Sequence, residues 1–298
     1  MANKAIGLGY EATGKSGKYT KCAMYFCSIP NIHNVSDARQ RLERALCRIL
    51  VADVKINSPL APFEVTPKAS TSSCLAAVAE SPWYDLIVRI LSSVSTIVSR
   101  INNKEAVIVH CSDGWDRTAQ LTSLTMLCVD PYYRSCRGFA ELIEREFVLM
   151  GHKFLTRNGL PSSKSVSSSQ KSPIFLQYLD CVFQIILKNP TAFEFDPSYL
   201  LMFAEQHTNG VWSTFSADDD CSRNLVDLPP IWSVCLDEQL LKSRYIRQHT
   251  GSSDLCTLGG FLGCKPLEPG IDPWDVTVWW AFWGMRSSCA LRWMRCDF

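Results

Sequence analysis

Apolar positions along this chain recur in two periods. From Trp83 they fall at Leu86/Ile87, Ile90/Leu91, Val94, Ile97/Val98 and Ile101, the three-and-four spacing of a helix with one buried stripe. Ser81-Pro82 stands at its head, where a hydroxyl accepts an early N–H and proline's missing donor costs nothing. Leu42, Leu46, Ile49 and Leu50 form a similar stripe, with Ser36 as the expected cap. Leu121, Leu124 and Leu127/Cys128 predict a helix opening at Arg117. Phe139, Leu142, Ile143, Phe147 and Met150 predict another, closed at Gly151. Residues 174–187 are apolar on most faces and predict a buried helix, and Asp196-Pro197 opens one more towards His207, read as a structural histidine.

Elsewhere the pattern is that of strands. Ala106 to Val109 is a short β-branched apolar run, and Lys18 to Cys27 is rich in Tyr, Phe and Thr. Helix, buried strand, loop, helix in that order predicts an α/β fold. The expected architecture is a central sheet flanked by helices with a helical C-terminal part. Residues 55–80 and 161–173, rich in Pro, Ser and Thr, read as flexible insertions.

Composition narrows the class. The chain has 298 residues, 47% of them apolar and 20% charged, enough for a substantial core. A net charge of +1 gives no global attraction to nucleic acid or membrane. Its 14 cysteines show no CxxC pair and no Cys/His metal spacing, so neither a metal nor another cofactor is expected. With no signal peptide at the start, a reducing cytosol is the expected compartment. No apolar run reaches membrane-span length. The aromatic cluster at Trp274, Trp279, Trp280, Phe282 and Trp283 reads either as a core helix or as a membrane-interface patch. No heptad repeat supports a coiled coil.

Candidate chemistry sits where the second strand ends, in Val107-Ile-Val-His-Cys-Ser-Asp-Gly-Trp-Asp-Arg-Thr118. Backbone N–H groups of a tight loop entering a helix converge on an anion. The same field lowers the pKa of a thiol at the start of the loop. Cys111 is therefore the candidate nucleophile and Arg117, six positions on, the fork for the equatorial oxygens of a phosphoryl group. Thr118 is placed to hydrogen-bond the sulfur. The Cys–Arg spacing recurs at Cys128/Arg134 and Cys289/Arg295, but neither pair follows a strand or has a glycine-bearing loop. Both read as ordinary buried cysteines. Two carboxylates, Asp113 and Asp116, are candidates for proton transfer, and Trp115 for shaping the pocket.

These residues, followed by Ala119-Gln-Leu-Thr-Ser123, resemble the active-site signature of the myotubularin phosphatases. The resemblance continues through Asp130-Pro-Tyr-Tyr-Arg134, Arg137-Gly-Phe139, Gly151-His-Lys-Phe154, Ser172-Pro-Ile-Phe-Leu-Gln-Tyr178 and Pro190-Thr-Ala-Phe-Glu-Phe195. Upstream it includes Ala2-Asn-Lys-Ala-Ile-Gly-Leu-Gly-Tyr-Glu11 and Ile29-Pro-Asn-Ile-His33. It covers most of residues 1 to 205, and residues 206–298 diverge. Members usually carry more catalytic domain, and a lipid-binding PH-GRAM domain, before the first matching segment. The resemblance therefore implies one N-terminally truncated phosphatase domain over 1–298.

The family's activity removes the 3-phosphate from phosphatidylinositol 3-phosphate and phosphatidylinositol 3,5-bisphosphate through a cysteinyl-phosphate. By resemblance Cys111 is the nucleophile, Arg117 the transition-state clamp and Asp116 the preferred general acid, with Asp113 the alternative. Substrate contacts would come from Ser112, Asp113, Gly114, Trp115, Asp116, Arg117, Lys153, Arg157 and Asn31, with Arg157 towards the 5-phosphate. Basic residues at a helix end are also explained by dipole complementation. Expected partners are a phosphoinositide lipid, the surface of endosomal membranes, and a second copy or other family members in homo- or hetero-oligomers. Nucleic acid is not expected. Two other readings stay open. One is an inactive adaptor of this family, against which the intact Cys111 and Arg117 argue. The other is a protein-tyrosine or dual-specificity phosphatase, against which Asp113, Trp115, Asp116 and the Lys153/Arg157 pair argue.

Overall fold

Local capping and one continuous stripe decide where the first helices begin. A computed structural model describes residues 22–52, 81–160 and 168–241. The first helix, α1, spans Ile32–Ala52. Asn31 heads it, not Ser36: the Asn31 Oδ1 accepts from the N–H of His33 at 3.0 Å and of Asn34 at 3.3 Å. Ser36 instead donates its hydroxyl to the Lys171 carbonyl at 2.7 Å. Helix α2, Pro82–Asn102, starts where the sequence predicts, with the Ser81 hydroxyl accepting from the Trp83 N–H. Its stripe from Trp83 to Val98 is buried and packs on α1, on α3 (Arg117–Val129) and on α6 (Ile174–Lys188).

The chain between α3 and α6 carries the second half of the site. Asp130 closes α3, a 3₁₀ turn follows at Pro131–Arg134, and α4 runs over Cys136–Ile143. It continues as a π-helical turn, Glu144–Leu149. Gly151, at φ +78°, ends it as predicted: the Gly151 N–H bonds the Val148 carbonyl and the His152 N–H bonds the Phe147 carbonyl. A short helix, α5, follows at Phe154–Asn158. The decoy pair proves structural. Arg134 is buried and donates to the carbonyls of Leu127 and Cys128 at 3.0 and 3.1 Å. Burial pushes the Cys128 thiol up to about 12.

The core closes around α6, whose residues from Ile174 to Ile186 are all buried. It packs on α7, Pro197–Gln206, which Asp196 caps as expected. Rings of Phe139, Phe147, Phe154, Phe175 and Tyr178 pack stacked, edge-on or tilted through this region. His207 is buried, with Nδ1 at 2.9 Å from the Ala204 carbonyl.

One carboxylate lies inside this core. Asp180 is fully buried and accepts from the Trp83 indole N–H at 2.8 Å and from the Gln184 amide at 3.0 Å. Burial outweighs both bonds and raises its carboxyl to about 6. A raised acid binds its proton more tightly folded than unfolded, so its contribution is greatest at low pH and is lost as pH rises to about 6. The stability of the wild type relative to Asp180→Asn should therefore fall by up to ~3 kcal/mol between pH 4 and 7, followed by denaturant melts.

The expected central sheet is not formed: among the described residues the architecture is helical, without a sheet. Residues 106–110 do run extended towards the loop. Val107 and Val109 pack on the core, while Ile108 is 88% exposed. The buried strand expected from the β-branched run is thus not formed: its apolar side chains are at most partly buried, and no neighbouring strand hydrogen-bonds to it among the described residues. Of Lys18 to Cys27, the described residues 22–27 likewise form no ladder. The Ala2–Glu11 segment, the 55–80 insertion, residues 161–167, the Trp274–Trp283 cluster and the Cys289/Arg295 pair lie outside the described residues.

Candidate active site

The loop from Cys111 to Asp116 joins the extended segment to the first turn of α3. Gly114 sits at φ +92°, a backbone conformation open to glycine and strained for other residues. Its N–H donates to the Cys111 sulfur at 3.1 Å. Burial pushes the Cys111 thiol up. Against it act the Thr118 hydroxyl, which has no other partner among the described residues, and the N–H groups of Gly114, Asp113 and Thr118. The donors prevail, and the thiol lies below its ordinary value, the direction a nucleophile at neutral pH requires.

The N–H groups of Ser112, Trp115, Asp116 and Arg117 donate no hydrogen bond among the described residues. Free donors gathered at a helix start are the raw material of an anion site. Arg117 folds back over them. Its Nη2 donates to the Ser112 hydroxyl at 3.1 Å and its Nη1 lies 3.5 Å from the Ile29 carbonyl. Through Ile29, the segment carrying Asn31 reaches the loop. The Asn31 side-chain oxygen itself is engaged in capping α1.

Behind the loop Asp116 is buried and held from two sides. Arg157 grips it with both edges of its fork, Nη2 to Oδ2 at 2.7 Å and Nε to Oδ1 at 3.2 Å. His152 Nδ1 lies 3.1 Å from Oδ1. Burial pushes the Asp116 carboxyl up, but the His152 and Arg157 bonds and charges outweigh it and hold it well below the usual carboxylate range. Arg157 is itself buried, its remaining Nη1 bonded to the Gln170 carbonyl at 2.9 Å. In this structure its fork is spent on the protein, and not turned out to solvent. Lys153 stands differently: its Nζ lies 4.3 Å from the centroid of the Trp115 ring, a cation–π contact over a loop residue.

The structure thus brings Lys153 and Arg157 to the loop, as the basic cluster after Gly151 suggests. Sequence reasoning missed His152 as part of the site, although it stands in the same cluster. It also missed Gln170, whose backbone no side-chain pattern reports.

Comparison with known proteins points to one family. The family profile of the myotubularin-like phosphatase domain matches residues 1–224. Myotubularin from Xenopus laevis is 34% identical over 250 residues, covering 82% of this chain and 37% of that protein. Phosphatidylinositol-3,5-bisphosphate 3-phosphatase MTMR2 from Bos taurus is 35% identical over 238 residues, covering 78% of this chain and 33% of that protein. The chain therefore spans little more than a third of the curated relatives it matches.

Proposed function

Because this chain belongs to the myotubularin-like phosphatase family, we propose that it is a cysteine-dependent phosphoinositide phosphatase acting on the 3-phosphate. The observation that carries the reading is the loop itself: a thiol lowered by converging donors, four further free N–H groups and an arginine folded over them. In the proposed reaction the phosphate sits on the free N–H groups and Arg117 clamps its equatorial oxygens. The Cys111 thiolate attacks phosphorus, the inositol alkoxide leaves with a proton, and water then releases phosphate from the sulfur. The relative named as a phosphatidylinositol-3,5-bisphosphate 3-phosphatase supports a doubly phosphorylated inositol lipid as one substrate. Leu149 and Met150, 57% and 60% exposed just before His152 and Lys153, support contact with a membrane surface at this side of the loop.

The proton donor we assign is Asp113. A general acid must take up a proton and reach the leaving oxygen beside the phosphate. Asp113 is exposed on the loop, its Oδ2 met among the described residues only by the Ser112 hydroxyl at 3.2 Å. At Asp116 two basic side chains oppose that protonation. Asp116 becomes an acid only if Arg157 lets go of it. Asp113→Asn should cut kcat by ~10²-fold or more and flatten one limb of its pH profile. Asp116→Asn should mainly lower the melting temperature. A flattened limb in Asp116→Asn alone would transfer the role to Asp116.

The function is tested by phosphate release from short-chain phosphoinositides carrying phosphate at the 3-, 4- or 5-position, beside a phosphotyrosine peptide. Release confined to the 3-phosphorylated lipids is expected. Release from the peptide alone would make it a protein phosphatase. No release from a folded sample would favour an adaptor.

A further inference from the structure

We propose that His152 is a positioning residue for the phosphate loop, holding the Trp115 carbonyl back so that the Asp116 N–H faces the anion. The inference rests on the phosphatase reading of that loop. His152 is 2% exposed. Its ring lies edge-on to Phe147 and Phe154, centroids 5.4 and 4.7 Å away. Its Nδ1 is 2.8 Å from the Trp115 carbonyl oxygen and 3.1 Å from Asp116 Oδ1. Both neighbours are acceptors, so Nδ1 carries the hydrogen and donates. Nε2 is buried with no partner among the described residues, so the ring meets the loop through Nδ1 alone.

The consequence follows from peptide geometry. The Trp115 C=O and the Asp116 N–H belong to one planar trans unit and point in opposite directions; among the described residues no peptide bond is cis. Fixing the carbonyl on His152, behind the loop, therefore turns the Asp116 N–H away from the buried cluster, to the open side. That N–H has no acceptor among the described residues. A flipped peptide would present a carbonyl dipole to the phosphate and cancel part of the cradle. The shared Nδ1–H also ties the carbonyl to the carboxylate of the next residue, and Arg157 holds that carboxylate at both oxygens. The cluster thus locks the turn just before Arg117, where the transition-state charge is met.

The test measures binding of orthovanadate, a phosphate-like anion, to the wild-type chain and to His152→Phe, His152→Asn and His152→Gln, with thermal melts and kcat and KM. Phenylalanine keeps the packing and removes the donor. Asparagine returns an N–H close to the position of Nδ1, whereas glutamine places it near Nε2. A folded His152→Phe should bind vanadate ~10-fold more weakly or worse and lose ~10- to 100-fold in kcat with little change in KM, short of the loss of a whole oxyanion donor. His152→Asn should recover part of both and His152→Gln should not. Unchanged vanadate affinity in folded His152→Phe, or equal behaviour of the Asn and Gln variants, would overturn the proposal. The Asn and Gln pair decides the matter if the Phe variant does not fold. A wild type that binds vanadate but releases no phosphate would sink the phosphatase reading alone, and the vanadate series would still judge His152.

Discussion

Replacing Cys111 by serine is expected to lower phosphate release by at least ~10³-fold while leaving lipid binding intact. The loop lowers the thiol through the Thr118 hydroxyl and the N–H groups of Gly114, Asp113 and Thr118. A serine hydroxyl starts so far above the thiol that the same donors leave it protonated at neutral pH. The serine variant therefore has no nucleophile. Its cradle is unchanged: the free N–H groups and the Arg117 fork do not depend on sulfur. Removing a thiolate also removes a negative charge facing the phosphate, so affinity should hold or rise. Equilibrium binding of a short-chain 3-phosphorylated lipid, beside kcat for the same lipid, reads both effects. Turnover by the serine variant within ~10-fold of wild type would exclude sulfur as the attacking atom.

The second large effect is at Arg117, where even lysine should cost ~10³-fold in kcat. The guanidinium is pre-set over the loop by Ser112 Oγ at 3.1 Å and by the Ile29 carbonyl at 3.5 Å. Those bonds leave a planar fork that can meet two equatorial oxygens at once. An ammonium keeps the charge but loses the paired geometry, and charge spreads over those oxygens mainly in the transition state. The loss should thus fall on kcat more than on KM. A fall in affinity with kcat unchanged would show that Arg117 only binds substrate. The melting temperature of Arg117→Lys should stay close to wild type, since the half-exposed side chain anchors no core element.

What the sequence made legible divides along a physical line. The α2 stripe, its Ser81 cap and the Gly151 stop are written in residues a few positions apart, the range that a sequence pattern reports. The loop's local geometry was legible for the same reason, since its donors, thiol and arginine lie between Cys111 and Thr118. The sheet was not. The β-branched run Ala106 to Val109 reads as a buried strand, yet Ile108 is 88% exposed and Val107 and Val109 are only partly buried; a strand needs a distant partner that the pattern cannot name. Asn31 displaced Ser36 as the α1 cap because both are good N-caps and Ser36 found a partner 135 residues away. The pairing of Asp116 with Arg157 spans 41 positions. Alone, Arg157 reads as a ligand contact and Asp116 as a proton donor and ligand contact; only the fold puts one against the other.

The central claim is that phosphate passes through the sulfur of Cys111. The most direct measurement is a rapid acid quench of the wild-type chain during turnover of a short-chain 3-phosphorylated inositol lipid, followed by mass analysis of the Cys111 peptide. A phosphoryl group on Cys111 is predicted, present only during turnover and missing from Cys111→Ser. Phosphate release at full rate with Cys111 never modified would contradict the account and point to direct attack by water.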